Sequence, residues 1–462
     1  MKALVFIEVD VVVRHFLHSH SFDDWSAHHE TRFVFPEPGQ KRMGTIDPAL
    51  LDLPGPVEYL GTAPVRQKLW KWLYLVDQLG WRRGKQAAAR RQLHRFTLGL
   101  KAYLIIRTLA LPGIRKFFIA RTYRQLKKHP AQELTDLLAR EKPDIIIHPC
   151  VLEGLYINDL VEQSKLREIP LLVIMNSWDN PSTKQAMVGE PDRLLVWGEQ
   201  TRRHAIEYAR MSPPRVTSFG SAQFDVFRQP PRIDRPTFLK HNGLSDDRPV
   251  IMYAGSSKGV REIEHLKVLD DAIEVGLLPP VSILYRPHPW GGGGQGGEGL
   301  LSQDWKHVAI EHTMVTYLRH VAAGTATKFL SDYRDTHDTL THIDALISPL
   351  STIIIEAAMH GKPTMCFLPV GENSQHLEAD AAHAHFYEIF QMPEFLKANG
   401  NDELVDVTRT LIELTGDPDW SARCRQQAEF FVAPHDRPYG ERLRLMAEEM
   451  VDAAPTSDGH AP

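Results

Sequence analysis

Cysteine is scarce. Cys150, Cys366 and Cys424 are the only three in 462 residues. They are too few and too scattered for a disulfide framework or a CxxC metal pair. That scarcity fits a reducing cytoplasm. Long apolar runs are missing too. No stretch approaches the ~18 apolar residues of a membrane-spanning helix. Met1–Val13 is apolar, but Glu8 and Asp10 interrupt it and no basic leader precedes a cleavage site. It reads as a first β-strand, not a signal peptide. There is no HExxH spacing and no DxD-type acidic pair after a strand, so neither a metal nor a cofactor is expected. No repeat of solenoid period occurs. The one low-complexity run is Gly291–Gly299, which reads as a flexible loop. With 43% hydrophobic and 24% charged residues, collagen and wholesale disorder are excluded.

The most informative shortage is of acid. The whole chain has a net charge of −5. Between Arg66 and Lys128 there are 17 Lys or Arg and one acid, Asp77, so this window carries +16 and the remainder −21. Asymmetry of this kind points to an interaction surface. Trp70, Trp72, Tyr74, Trp81, Phe96, Tyr103, Phe117, Phe118 and Tyr123 interleave with the cations. Basic and aromatic residues together suit single-stranded nucleic acid or an anionic membrane surface. No nucleic-acid-binding fold signature accompanies them, so nucleic acid is not an expected partner. An amphipathic insert with solvated cations is the plain alternative. Exposed helices usually intersperse both signs, which favours docking on an anionic membrane or acceptor. Binding should then be sensitive to salt and to neutralising Arg82, Arg83, Arg90 and Arg91. The expected localisation is cytoplasmic, with the window allowing peripheral contact at the inner face of the plasma membrane.

Elsewhere, short apolar runs alternate with helical stretches. Strands are expected at Ala3–Val13, Asp144–His148, Pro170–Asn176, Arg193–Trp197 and Arg215–Phe219. Helices are expected at Ala131–Glu141, Glu153–Lys165 and Gln200–Arg210. Gln229–Pro236 (QPPRIDRP) breaks the pattern and reads as a linker. Alternation restarts with strands at Pro249–Ala254, Val281–Tyr285, Ala345–Ile347 and Thr364–Phe367. Helices there are expected at Val260–Glu274, Ile353–His360 and Glu441–Ala453. The fold class is therefore α/β, with two Rossmann-like domains, an interdomain cleft and a basic helical insert in the first domain. The expected limits are 1–228 (insert about 66–129), a 229–236 linker, 237–435, a 436–453 crossover helix and a 454–462 tail. Open α/β sheets bind ligands beyond the C-terminal ends of their strands, so motifs there carry most weight.

Tyr285-Arg286-Pro287-His288-Pro289 follows a strand. The prolines stiffen the turn, Arg286 suits a phosphate, and His288 suits a phosphate or ribose oxygen. A rigid surface turn is the alternative. Ser348-Pro349-Leu350-Ser351-Thr352 leads into a helix bearing Glu356, followed by Gly361-Lys362-Pro363. Ser351 and Thr352 fall at a helix N-terminus, which favours phosphate. Glu356 lies one turn on and suits ribose hydroxyls. Ordinary N-capping is the alternative. Gly255-Ser256-Ser257 closes another strand and suits close approach of a phosphate. In the first half, Asn176-Ser177-Trp178-Asp179-Asn180-Pro181-Ser182-Thr183-Lys184 reads as a sugar or polar-ligand wall. Trp178 would stack, Asn180 and Lys184 orient, and Asp179 act as general base. A loop closed by an Asx or ST turn is the alternative. After the first strand, His20 and Asp23 are candidate acceptor-side groups. His15, His18 and His20 read as histidines at a helix N-terminus rather than metal ligands.

These motifs resemble the nucleotide-binding domain of GT-B glycosyltransferases, and bacterial surface-polysaccharide enzymes in particular. Those include capsule Kdo transferases, sialyltransferases of that fold and CDP-glycerol glycerophosphotransferases. The likeness rests on Arg286–Pro289, Ser348–Pro363 and Asp436–Arg442 (DRPYGER), with Ser177–Lys184 as a first-domain counterpart. It spans most of residues 140–445. It implies that His288 and the Ser351/Thr352 turn contact the donor's phosphates, and that the last helix returns to the first domain. Asp179 stands where glycerophosphotransferases carry His, and the poly-Gly loop and the basic window have no counterpart.

The expected function is glycosyl transfer from a nucleotide-activated sugar to a saccharide or lipid-linked acceptor, in cell-surface polysaccharide or glycolipid synthesis. Asp179 would activate the acceptor, with His20 or Glu153 as alternatives. Arg286, His288, Ser348, Ser351 and Thr352 would hold the donor. Rival readings are a CDP-polyol phosphotransferase, a UDP-sugar 2-epimerase-like enzyme and a non-catalytic nucleotide-binding scaffold.

Overall fold

A computed structural model describes residues 1–38, 51–80, 82–255, 261–289, 297–325, 331–369, 381 and 383–454. Ser256, Ser257, Trp81, the start of the poly-Gly run and nearly all of the expected tail lie outside the described residues. The chain divides into two compact units, residues 1–225 with 432–462, and residues 226–431.

In the first unit the strands are β1 (Lys2–Phe6), β2 (Glu30–Pro36), β3 (Val57–Leu60), β4 (Ile145–Cys150), β5 (Leu171–Met175), β6 (Arg193–Val196) and β7 (Val216–Ser218). They form a parallel sheet in the order β3-β2-β1-β4-β5-β6-β7. In the second unit β8 (Val250–Ala254), β9 (Ser282–Arg286), β10 (Val308–Ile310), β11 (Ala345–Ser348), β12 (Thr364–Leu368) and β13 (Phe395–Asn399) form a parallel sheet ordered β10-β9-β8-β11-β12-β13. Both units are doubly wound α/β sheets, as the alternating pattern requires. The order reverses between β1 and β4 and between β8 and β11, the positions where ligand crevices open in such sheets.

The central strands are buried on both faces, as parallel sheets require. Successive side chains of a strand point to opposite faces. Leu4 and Phe6 join Ile146 and Val173 under the helices Gln132–Glu141 and Ile157–Arg167. Ala3 and Val5 join Ile147, Phe16 and Trp25 under Leu443 and Ala447 of the helix Tyr439–Asp452. That last helix belongs to the first unit. Its Arg442 donates to the Phe219 carbonyl at 2.7 Å.

Three expectations need correction. The first strand ends at Phe6, because Asp10–Leu17 turns helical and buries Val12, Val13 and Phe16. Two of the histidines there are not at a helix N-terminus: His15 is buried within that turn and His18 follows its last residue, while His20, with a left-handed φ of 56°, precedes the helix Asp23–His28. Gln229–Pro236, expected as an interdomain linker, falls inside the second compact unit. Arg232 in it binds Asp338 and Asp335 of the second unit, at 2.8 and 2.6 Å.

The basic window is helical, as expected. It comprises Pro64–Leu73, a π-turn Tyr74–Gly80, Lys85–Leu109 and Pro112–Lys128. Much of its charge is structural, however. Arg66 and Arg90 are buried. Arg82 donates to the Tyr208 and Glu207 carbonyls, and Arg91 to the Arg82 carbonyl at 2.6 Å. Of the four arginines expected to dock an anionic surface, three bind carbonyls of the first unit instead, Arg82 and Arg90 outside the insert and Arg91 within it. Trp70 and Tyr74 are buried as well, so they offer no stacking platform.

Candidate functional site

In the second unit, the ends of β8, β9 and β11 converge. The Gly255 N–H donates to the Arg286 carbonyl at 2.8 Å. The Ser348 hydroxyl, fully buried, donates to the Pro349 and Ala254 carbonyls at 2.8 and 3.3 Å. A side chain at Gly255 would collide with the buried Glu262 carboxylate, which accepts the Tyr285 hydroxyl. Glycine is thus explained here by Glu262, with no need of a phosphate. Burial, reinforced by Glu262, raises Tyr285 well above its ordinary range.

Arg286 is nearly buried, 6% exposed. Its Nε faces Glu311 at 3.4 Å, and one terminal nitrogen donates to the Thr336 hydroxyl at 2.9 Å. Glu311 also accepts the Thr339 hydroxyl at 2.8 Å. The guanidinium is therefore oriented before any ligand arrives, and its Nη1 makes no hydrogen bond among the described residues. His288 follows two residues on, half-buried. Ser351 and Thr352 are half-buried before the helix Ile353–Met359, and Glu356 within it is buried. That helix has only seven residues, so its macrodipole is modest. The Lys362 ammonium donates to the Thr341 carbonyl at 2.9 Å.

In the first unit, the SWDNPSTK segment closes on itself. Trp178 is 1% exposed, so it is a core residue and cannot stack on a sugar. Asn180 is fully buried; its side chain accepts from the Ser177 N–H at 3.0 Å and donates to Asp179 at 3.2 Å. Asp179 also accepts the Thr183 hydroxyl at 2.9 Å. This is the Asx/ST turn of the alternative reading. Lys184 is exposed. His20 is on the surface, paired with Asp23 at 3.0 Å.

Glu153 is placed differently. It lines a cavity of about 240 Å³ between the basic insert and the loops after β4 and β5. The insert contributes Gln67, Lys71, Arg90 and His94, and the loops and the helix Ile157–Arg167 contribute Glu153, Asn158, Thr183 and Gln185. Four of these lining residues hold buried polar atoms with no hydrogen bond among the described residues: Gln67 Nε2, Arg90 Nε, His94 Nε2 and Gln185 Oε1. Orphaned polar atoms are costly unless water or a ligand satisfies them. Burial, then Arg90 and Lys71, push the His94 imidazole down to about 4, so it is neutral at pH 7.

Comparison with known proteins gives fold without close kinship. No family model and no curated protein matches the sequence. Solved structures do match. A UDP-GlcNAc 2-epimerase from Methanocaldococcus jannaschii is 10% identical over 97% of this chain and 100% of that one, with a TM-score of 0.50. A variant of the wall teichoic acid polymerase TagF is 10% identical over 98% of this chain and 89% of that one, also at 0.50. The fold is of GT-B type, two Rossmann-like α/β units.

On this GT-B scaffold several residues went unmarked in the sequence. Glu262, Glu311 and Thr336 brace the second unit's strand ends, but each lies outside the motif it supports. In the first unit Glu8 closes the crevice between β1 and β4. It accepts the Leu155 and Tyr156 N–H groups at 2.8 and 2.9 Å and faces His148 at 3.2 Å, both side chains being buried. A side chain on Gly154 would strike the Glu8 carboxylate. Glu8 thus positions the loop that carries Glu153.

This pair makes a pH prediction. Burial alone would push His148 down; the Cys150 thiol and the Glu8 carboxylate outweigh it and push it up to about 10. Glu8 lies below the ordinary carboxylate range: burial opposes this, but His148 and the two N–H groups prevail. A raised histidine stabilises fully below its unfolded value of 6.5 and loses that contribution as pH climbs through about 10. Urea midpoints of the wild type should therefore fall between those pH values. His148→Gln should be less stable at pH 6 and show a flatter profile above it.

Proposed function

We propose that the protein is a glycosyltransferase that moves a sugar from a nucleotide-activated donor to a saccharide or lipid-linked acceptor, in cell-surface polysaccharide or glycolipid synthesis. The observation that carries this reading is the cavity beside Glu153. It is a second polar site, separate from the strand ends that suit a nucleotide, and a one-substrate epimerase has no use for it.

The donor's phosphates would lie at the ends of β9 and β11. There the pre-oriented Arg286 and His288, with Ser351 and Thr352, would stabilise charge on the departing nucleotide. Glu356 would hold ribose hydroxyls. The acceptor would enter the first-unit cavity. Arg90 and Gln67 offer N–H donors and Gln185 an acceptor, a pattern suited to hydroxyl groups; two cations, Arg90 and Lys71, against one carboxylate, Glu153, favour an acceptor with an acidic group. In the reaction, the acceptor oxygen bonds to the anomeric carbon as the bond to phosphate breaks. Its proton passes to a carboxylate, and the nucleotide leaves with the bonding electrons. Glu153 suits that base role better than Asp179, whose carboxylate closes its own turn.

Thermal-shift screening with UDP, GDP, CMP, CDP and dTDP should single out one base. Glu153→Gln should then lower transfer at least about 10²-fold while leaving that nucleotide shift unchanged. Formation of a C2 epimer from the donor with no acceptor present would overturn the reading in favour of an epimerase. Polyol phosphate transfer from a CDP donor would overturn it in favour of a phosphotransferase.

A further inference from the structure

The basic insert carries a feature that glycosyl transfer does not use. Its last two helical segments, Thr97–Leu109 and Pro112–Lys128, meet at a 100° bend. Pro112 opens the second helix, and Leu111 before it is extended, as a residue preceding proline prefers. Around this elbow Leu100, Leu104, Ile105, Leu111, Ile114 and Phe117 are all exposed, Phe117 at 63%. They are six of the fifteen exposed large hydrophobics among the described residues, gathered in 18 consecutive positions. Scattered exposed leucines need no explanation; a contiguous set does.

The core does not require them. On Pro112–Lys128 the inward face is supplied by Phe118, Ile119, Thr122 and Leu126, all buried or half-buried. Ile114 and Phe117 fall outside that stripe. Exposed cations flank the apolar tip: Lys101 before it and Lys116, Arg121, Arg124, Lys127 and Lys128 after it. No Asp or Glu occurs between Gln78 and Gln132. Asp77, the acid that reaches the elbow, is paired with Arg115. Apolar tips ringed by exposed cations match the boundary of an anionic bilayer, where alkyl groups enter and Lys and Arg meet lipid phosphates. A second copy of the chain would bring like charges together. Nucleic acid would need stacking aromatics, whereas the tip is mainly Leu and Ile. No single helix among the described residues is long and apolar enough to cross a membrane.

We propose that the elbow of residues 97–128 is an interfacial anchor that seats the protein on an anionic membrane, entering it with Leu104, Leu111, Ile114 and Phe117. This rests on the exposed surface alone and stands apart from the choice of reaction.

The test is co-sedimentation of the full chain with phosphatidylcholine vesicles, with and without phosphatidylglycerol. Binding is expected only with phosphatidylglycerol. It should weaken at least about 10-fold in the triple variant Leu104→Ser, Ile114→Ser, Phe117→Ser, and also in Lys116→Glu, Arg121→Glu. Unchanged urea midpoints would show that both variants fold. In Phe117→Trp, emission should shift to the blue on adding the anionic vesicles. No binding to those vesicles, equal binding by the serine variant, or emission unmoved by lipid would each overturn the proposal. So would a dimer that the serine variant dissolves, or preferential binding of single-stranded oligonucleotide.

Discussion

Replacing Arg66 with methionine is expected to destabilise the first unit by about 3–5 kcal/mol, the usual cost of stranding one partner of a buried ion pair. Arg66 is 2% exposed. Its Nε donates to Asp159 at 2.7 Å, and its terminal nitrogens reach Glu162 at 2.5 Å and the Leu126 and His129 carbonyls at 2.7 Å each. Trp70 donates to the same Asp159 at 2.7 Å. One side chain therefore ties the first insert helix to the end of the last one and to the core helix Ile157–Arg167. Methionine fills similar space but leaves Asp159 with a single strong donor. Lysine at this position should recover only part of the loss, because one ammonium cannot reproduce a planar fork that reaches four acceptors. Urea unfolding monitored by tryptophan fluorescence measures both. A wild-type midpoint in the methionine variant would mean that the insert is not held by this cluster. The cavity wall would loosen with it, since Gln67 and Trp70 line that cavity.

His288→Ala should lower turnover about 10²–10³-fold, the usual effect of removing one group that stabilises developing charge. Its effect on folding should stay within about 1 kcal/mol, since the side chain is only half-buried. The nucleotide thermal shift should shrink without vanishing, because Arg286 keeps its orientation through Glu311 and Thr336. Wild-type turnover would remove His288 from the donor site. A collapsed unfolding midpoint would make it a structural residue of the Pro287–Pro289 turn.

Legibility in the sequence followed burial on both faces. Β-rich runs such as Ile145–Ile147 and Leu171–Met175 announced central parallel strands because no polar alternation interrupts them. Four strands went unnoticed. β3, β10 and β13 are edge strands of three to five residues, too short for a pattern to stand out. β2 begins two residues after a short helix, and Glu30 and Arg32 mask its apolar half. At the candidate site, motifs next to strand ends were visible, while their supports were not. Glu262, Glu311 and Glu8 lie in segments with no motif of their own, and only folding sets each under a strand end. The SWDNPSTK segment misled in the other direction. Its ligand-like composition is that of a self-closing turn, because Asn, Asp, Ser and Thr satisfy their own backbone as readily as a substrate.

By itself, the sequence determined two doubly wound α/β units and a basic helical insert, since periodicity and charge are local properties. It also determined that Arg286 and His288 lie at the end of a strand. Tertiary structure decided which charges are free to act. It turned Arg66, Arg82, Arg90 and Arg91 inward onto carboxylates and carbonyls, while leaving Lys101, Lys116, Arg121, Arg124, Lys127 and Lys128 of the elbow in solvent. It buried Trp178 and brought Glu153 to a cavity lined by orphaned polar atoms. The physical reason is the same in each case: a side chain's chemistry depends on which partners reach it and on whether water can, and both are set by residues remote in sequence.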